Sequence, residues 1–216
     1  MPQRIFVFTQ PNRHGSLARC GAELCMTGWR AEEEVLLCPR RHPKCSLVCI
    51  QVTAVSPGLG EALFAETKKC GAGGVFLDGD GKIPGLDSLV SELCGLGLEI
   101  FSSVDCGRQV NLVMPDAGNH RFLSPRQQKT TLLPGGKNQK TELTKEELSL
   151  LLDRYAPRSG FSAELGCRYF TVKNREETVF AVYDTPETFR KRVTEADCET
   201  VFLEDRSVTD YLGGRL

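Results

Sequence analysis

Residues 73–81 read GGVFLDGDG. A short apolar run, Val75-Phe76-Leu77, is bounded by glycines and ends in two acids, Asp78 and Asp80. Such a run reads as a strand buried on both faces. Its flanks repeat an alternation. SLVCIQVTAV (46–55) is rich in β-branched residues and reads as strand. Residues 59–70 read as helix, with Gly71 as the cap just past its end. After Pro84, the residues Leu86, Leu89, Val90 and Leu93 fall on one helical face, and LEIFSSV then reads as strand, followed by QVNLVM as another. Strand, helix, strand, helix, strand is the pattern of right-handed βαβ units and a parallel sheet. Ligands of such sheets gather beyond the carboxyl ends of the strands. Alternate residues of a strand share a side, so Phe76, Asp78 and Asp80 are expected to face one pocket. The competing reading is a charged turn, with Asp80 in a glycine-rich bend.

Outward from this centre, residues 4–9 (RIFVFT) read as a buried strand, while 20–45 fit either state. Residues 117–143 are polar and broken, with LLPGGKNQKTEL reading as loop. TKEE at 144–147 is a capping box, Thr144 facing Glu147, and Leu148, Leu151, Leu152 and Tyr155 make one helical stripe. CRYFTVKNREETVFAVY reads as a β-hairpin about a charged turn. Asp184-Thr185-Pro186 opens a helix whose inner stripe is Phe189, Val193 and Ala196. TVFLE is a last strand and VTDYL a closing helical turn. The expectation is a single α/β domain over residues 1–216.

Composition narrows the function. The chain has 216 residues, 40% hydrophobic, with Lys+Arg 27 against Asp+Glu 28 and a net charge of −1. Nucleic-acid binding leaves a basic footprint, and none is visible. No segment has the length of a membrane span, and the N-terminus is no signal peptide, so a cytoplasmic location is expected. Several of the ten cysteines sit in apolar runs, where free thiols behave as small hydrophobes. Cys38, His42, Cys45 and Cys49 lie close together, but the two-residue Cys spacing of zinc sites is missing. That segment is read as a loop leading into a strand, without metal, and no cofactor is expected. His14, His42 and His120 stand in polar segments with no triad pattern and carry no assignment. The oligomeric state stays open.

Two enzyme families resemble the central stretch. VFLDGDGKI is similar to the Asp-x-Asp-Gly-Thr motif of haloacid dehalogenase-like phosphatases, with Lys82 in place of Thr. That resemblance implies Asp78 as nucleophile and Asp80 as general acid. Ser102 or Ser103 would hold the phosphate, and Asp205 and Asp210 the magnesium. Yet the motif lies more than seventy residues into the chain, far from its usual place on the first strand.

GVFLDGD also resembles the fourth strand of glycoside hydrolase family 18, Gly-Ile-Asp-Leu-Asp-Trp-Glu. Asp78 falls on the last Asp, Asp80 on the catalytic Glu, and Phe76 replaces the earlier Asp. Near the C-terminus, VFAVYDTPETFRKRVTEADCETVFLED follows the plan of spore-germination-type members through Tyr183-Asp184, Phe189 and Arg192. It ends without their active-site Trp, and Glu204 lies near that position. The tail from Phe161 onward also resembles small Firmicutes proteins of reduced form. We favour this second resemblance, which covers about half the chain in two regions. It implies a small or reduced TIM-like (β/α) barrel with a β-hairpin before the last helix and strand. A doubly wound Rossmann-like sheet is the alternative. Asp78 and Asp80 become the candidate catalytic pair, and Phe76 and Glu204 candidate substrate contacts. Family 18 enzymes use the substrate's acetamido group with one Glu as acid. Asp80 is about 1.5 Å shorter in reach, and a misplacement of about 1 Å can lower a rate on the order of a hundredfold. With Phe76 and the missing Trp added, the expectation is a degenerate site. The protein would bind a sugar or cell-wall fragment, or act as an interaction module.

Overall fold

In the computed structural model, described for residues 2–214 except 18, 19, 34, 107–109, 134, 136, 156 and 174–176, eight parallel strands close into a barrel. They are β1 (Arg4–Thr9), β2 (Glu23–Glu32), β4 (Leu47–Val52), β5 (Gly74–Asp78), β6 (Glu99–Ser102), β7 (Asn111–Pro115), β8 (His120–Phe122) and β14 (Thr200–Glu204). Closure rests on β1, which pairs with β14 on one side and β2 on the other. The doubly wound alternative is thereby corrected, because an open sheet leaves its two outer strands unpaired. Stretch 73–81 supplies the fourth barrel strand. A three-residue strand, β3 (Val35–Leu37), runs antiparallel to the far end of β2. Residues 23–32 and 35–37 of the uncertain segment are therefore strand.

Alternation explains the interior. Phe6 and Phe8 of β1, Phe76, Phe101, Phe122 and Phe202 all turn inward. Phe202 is the hub, with ring centroids 5.0 Å from Phe6, 5.2 Å from Phe76 and 5.1 Å from Phe101. Gly74 opens β5 because a Cβ there would lie 2.3 Å from the Glu99 carbonyl oxygen. Arg4 closes the floor between Glu23 (2.9 Å) and Glu99 (2.7 Å). Its hydrogen bonds hold the Glu23 carboxyl below the usual carboxylate range against the opposing effect of burial.

The reduction lies in the helices rather than in the strands. Helix α1 is one turn (His14–Leu17), whereas α2 (Leu59–Cys70) and α3 (Leu86–Gly95) are full crossovers. Their stripes Leu59, Leu63 and Leu86, Leu89, Val90, Leu93 bury against the outer faces of β4, β5 and β6. Among the described residues, β6 to β7 and β7 to β8 are joined without a helix. No helix among the described residues is long and apolar enough to cross a membrane.

Between the seventh and eighth barrel strands the chain builds a second sheet. It is antiparallel, ordered β10-β9-β13-β12-β11, from β9 (Gln127–Leu132), β10 (Asn138–Glu142), β11 (Gly160–Ser162), β12 (Cys167–Lys173) and β13 (Thr178–Tyr183). The expected hairpin is β12–β13, and its turn at 174–176 lies outside the described residues. The reading of LLPGGKNQKTEL as loop is corrected: residues 138–142 form a fully exposed edge strand. An edge strand with water on both faces needs no apolar alternation. Helix α4 (Lys145–Tyr155) covers one face of this sheet, started by the Thr144 N–H donating to the Glu147 carboxylate at 2.7 Å and the Glu147 N–H donating to the Thr144 hydroxyl at 3.1 Å. Helix α5 (Pro186–Thr194) is capped by Thr185 and Thr188, and α6 (Asp205–Leu212) packs beside it against β14.

One buried carboxylate ties a loop to the barrel wall. Glu66 on α2 accepts from the Trp29 indole N–H (2.9 Å), from Lys69 and from His42 Nε2 (2.7 Å). Burial alone would raise its pKa, but these partners bring it to about 2, from an ordinary 4.5. A carboxylate with a lowered folded-state pKa stabilises the fold above its unfolded value, and that stability is lost as pH falls through the folded one. Urea midpoints should therefore fall between about pH 4.5 and pH 2, and Glu66→Gln should remove on the order of 2 kcal/mol of that slope. An unchanged acid limb in Glu66→Gln would show that this cluster does not govern acid stability.

Candidate functional site

At the carboxyl end of the barrel, register places three side chains side by side. Arg30 of β2 is opposite Gln51 of β4, and Gln51 is opposite Asp78 of β5. All three are exposed. Ser103, just past β6, extends the row, its hydroxyl donating to Asp78 Oδ1 at 2.9 Å and accepting from the Gly79 N–H at 3.3 Å. Arg30, Gln51 and Asp78 line a cavity of about 490 Å³ that also takes in Gln10, Asn12, Thr27, Trp29 and Cys49. Cys49 and Phe76 form the layer beneath, and Thr27 is steadied by donating to the Thr9 carbonyl at 3.2 Å. The chemistry offered is one carboxylate, several amides and hydroxyls, and one guanidinium.

A bulge in β2 sets the row. Met26 is opposite Val48 and Trp29 opposite Ile50, so three steps of β2 match two of β4. Gly28 sits in the extra step at φ 119°. Uninterrupted alternation from Cys25 would turn Trp29 inward and Arg30 outward; the extra residue reverses both. Trp29 goes outward under α2, fully buried, and Arg30 turns to the mouth.

The sequence-derived candidates separate. Asp78 lies on the cavity rim as expected from its strand. Asp80 does not follow it: β5 ends at Asp78, and Asp80 falls in an exposed bend where strand alternation no longer applies. Phe76 is 5% exposed, enclosed by Phe8 (ring centroids 4.8 Å) and Phe202, so it belongs to the barrel core. Glu204 borders a different cleft of about 1020 Å³, between the end of β14 and strands β9 and β10. Sequence reading missed Arg30 and Gln51. Gln51 was legible as the one exposed residue in an otherwise apolar strand, but the bulge that turns Arg30 inward has only Gly28 as its trace.

The phosphatase arrangement is not assembled. Ser103 does meet Asp78, but Ser102 is buried, donating to the Leu77 carbonyl and accepting from the Val104 N–H, both at 3.0 Å. Asp205 pairs with Arg13 at 3.0 Å and Asp210 with Lys145 at 4.0 Å, and both acids border the other cleft. The cysteine cluster is also dispersed. His42 bonds Glu66, Cys45 reaches Cys70, and Cys49 faces the barrel interior beside Cys25. Burial pushes the Cys45 thiol up to about 12. All ten thiols are free, and among the described residues no three His, Cys, Asp or Glu side chains converge on a point that could hold a metal ion.

No family model matches the sequence, and no curated protein matches it. Solved structures resemble its fold. The spore cortex-lytic enzyme SleL of Bacillus cereus superposes with a TM-score of 0.57 at 7% identity, over 94% of this chain and 71% of that one. A class V chitinase from Nicotiana tobaccum gives 0.52 at 10% identity, over 98% and 94%. A chitinase from Chromobacterium violaceum gives 0.51 at 8% identity, over 98% of each chain. The fold is thus a TIM-like barrel similar to that of these chitinases and the cortex-lytic enzyme, the fold that the family 18 resemblance implied.

Proposed function

We propose that this chain is a carbohydrate-binding barrel on a glycoside hydrolase scaffold, without the hydrolytic activity of that scaffold. The observation that carries the reading is the polar row Arg30–Gln51–Asp78 lining a cavity at the barrel mouth, with Ser103 bonded to Asp78 beside it. Amides, hydroxyls and one carboxylate, set over an apolar floor, suit a sugar's hydroxyls and the apolar face of its ring. The fold likeness to enzymes named as chitinases and cortex-lytic enzymes supports the same ligand class.

Hydrolysis is a poorer fit. A two-carboxylate mechanism needs its acids about 5–9.5 Å apart across one bond. Here Asp78 and Glu204 border separate clefts. The one-acid route of family 18 would fall to Asp80, which lies outside the cavity. The chain's only tryptophan, Trp29, borders this cavity, but it is 1% exposed with its indole N–H bonded to Glu66, so its ring offers no open face to a sugar.

Calorimetric titration with chitotetraose tests the reading. Binding should be measurable in wild type and weakened about tenfold to a hundredfold in Asp78→Ala, the loss of a hydrogen bond to a charged group. No reducing ends should accumulate with wild type or with Asp80→Glu. Turnover of chitotetraose that disappears in Asp80→Asn would make this an active hydrolase, and the absence of any binding would remove the sugar reading.

A further inference from the structure

We propose that Arg30 makes the barrel mouth selective for a sugar that carries a carboxylate. The inference rests on the sugar-binding reading above and names its ligand class.

The geometry begins with what Arg30 is not doing. Among the described residues it makes no ion pair and no side-chain hydrogen bond. By contrast, Arg4 in the barrel floor and Arg192 beneath the inserted sheet are each held between two carboxylates. Arg30 is also aimed deliberately. Without the extra residue at Thr27–Gly28 it would lie on the outer wall, and Trp29 would face the cavity. Bulges beside binding sites re-aim a side chain in this way, and Gly28 supplies the φ of 119° that the extra step takes.

Arg30 and Asp78 are separated by one strand, so about 10 Å divides their backbones at the usual strand spacing. Gln51 lies between them. That span admits a single sugar ring. Asp78 can accept from a hydroxyl or amide N–H at one edge of the ring. Arg30 can donate two parallel hydrogen bonds to a carboxylate at the other, and Gln51 serves either side. A neutral sugar would use Asp78 and leave the guanidinium unmatched. Guanidinium and carboxylate are matched as a planar fork, which a hydroxyl cannot reproduce.

The carboxylate could stand on a lactyl ether of an amino sugar or on a uronic acid, and the probes separate the two. Titrations would use the N-acetylglucosaminyl–N-acetylmuramic acid disaccharide, its carboxyl methyl ester, tetragalacturonate and chitotetraose. The free acid of the preferred source should bind at least tenfold more tightly than the ester or the neutral tetramer. Arg30→Gln should erase that preference, and Arg30→Lys should retain part of it. Arg30 is exposed, so these variants should keep the wild-type melting midpoint. If acid and ester bind equally, and Asp78→Ala still weakens both, the sugar reading stands and the role of Arg30 falls. If none of the four probes binds, both fall together.

Discussion

Phe189→Ala is expected to lower the free energy of unfolding by about 3–5 kcal/mol, the usual effect of emptying a fully buried aromatic position. Phe189 has no exposed surface. Its ring meets Tyr211 edge-on at 5.6 Å and packs in one cluster with Val193, Val201, Leu203 and Val208. That cluster is the seam joining α5, α6 and the last barrel strand, so a cavity there loosens all three. Truncation after Tyr183 is the extreme case. It removes β14, the strand shared by β1 and β8, together with Phe202, the hub of the internal rings. The shortened chain should lose its cooperative urea transition. A transition at the wild-type midpoint would show that the barrel does not depend on its eighth strand.

Arg192→Met should be similarly severe, about 3–5 kcal/mol, because it leaves a buried charge behind. The Asp184 side chain has no exposure. It accepts from the Arg126 backbone N–H and the Thr188 hydroxyl, both at 2.9 Å, and pairs with the Arg192 guanidinium. Arg192 also reaches Asp116 at 2.8 Å, in the turn between β7 and β8. Arg192 thus connects the inserted sheet, helix α5 and the barrel rim. The double variant Asp184→Asn/Arg192→Met should recover part of the loss, since the orphaned charge is gone while the neutral donors keep an acceptor. A double-mutant cycle on urea midpoints measures the coupling. Additive losses would mean that Arg192 acts through packing alone.

The parts legible in the sequence were those under strong local constraint. Helix α2 ends at Gly71 because only a left-handed residue fits there, and its carbonyl contacts are local. The stripes of α3 and α5 and the Thr144–Glu147 box are equally local. Strand β5 announced itself by being apolar on both faces, and that put Asp78 at the barrel mouth. What stayed hidden was set at a distance. Strand β10 is polar throughout, so only its partner β9 makes it a strand. The parity of Arg30 depends on a bulge defined by pairing with β4. Asp78 and Glu204 were both expected at the substrate site, one as catalytic acid and one as substrate contact, yet the closed barrel sends them to different clefts. Asp80 takes the bend of the competing reading, because strand alternation stops at Asp78, where β5 ends.

The pairing of β1 with β14 has a consequence for biosynthesis. Arg4 lies opposite Thr200, so β1 must wait on the ribosome until β14 has emerged before its second edge is covered. Until then Phe6 and Phe8 have no Phe202 to stack on. The inserted sheet is different, for all its strands come from residues 127–183 and pair only with one another. It can assemble as soon as it emerges, and in doing so it shortens the effective tether between β8 and β14. The order of synthesis therefore puts the local sheet first and the closing of the ring last.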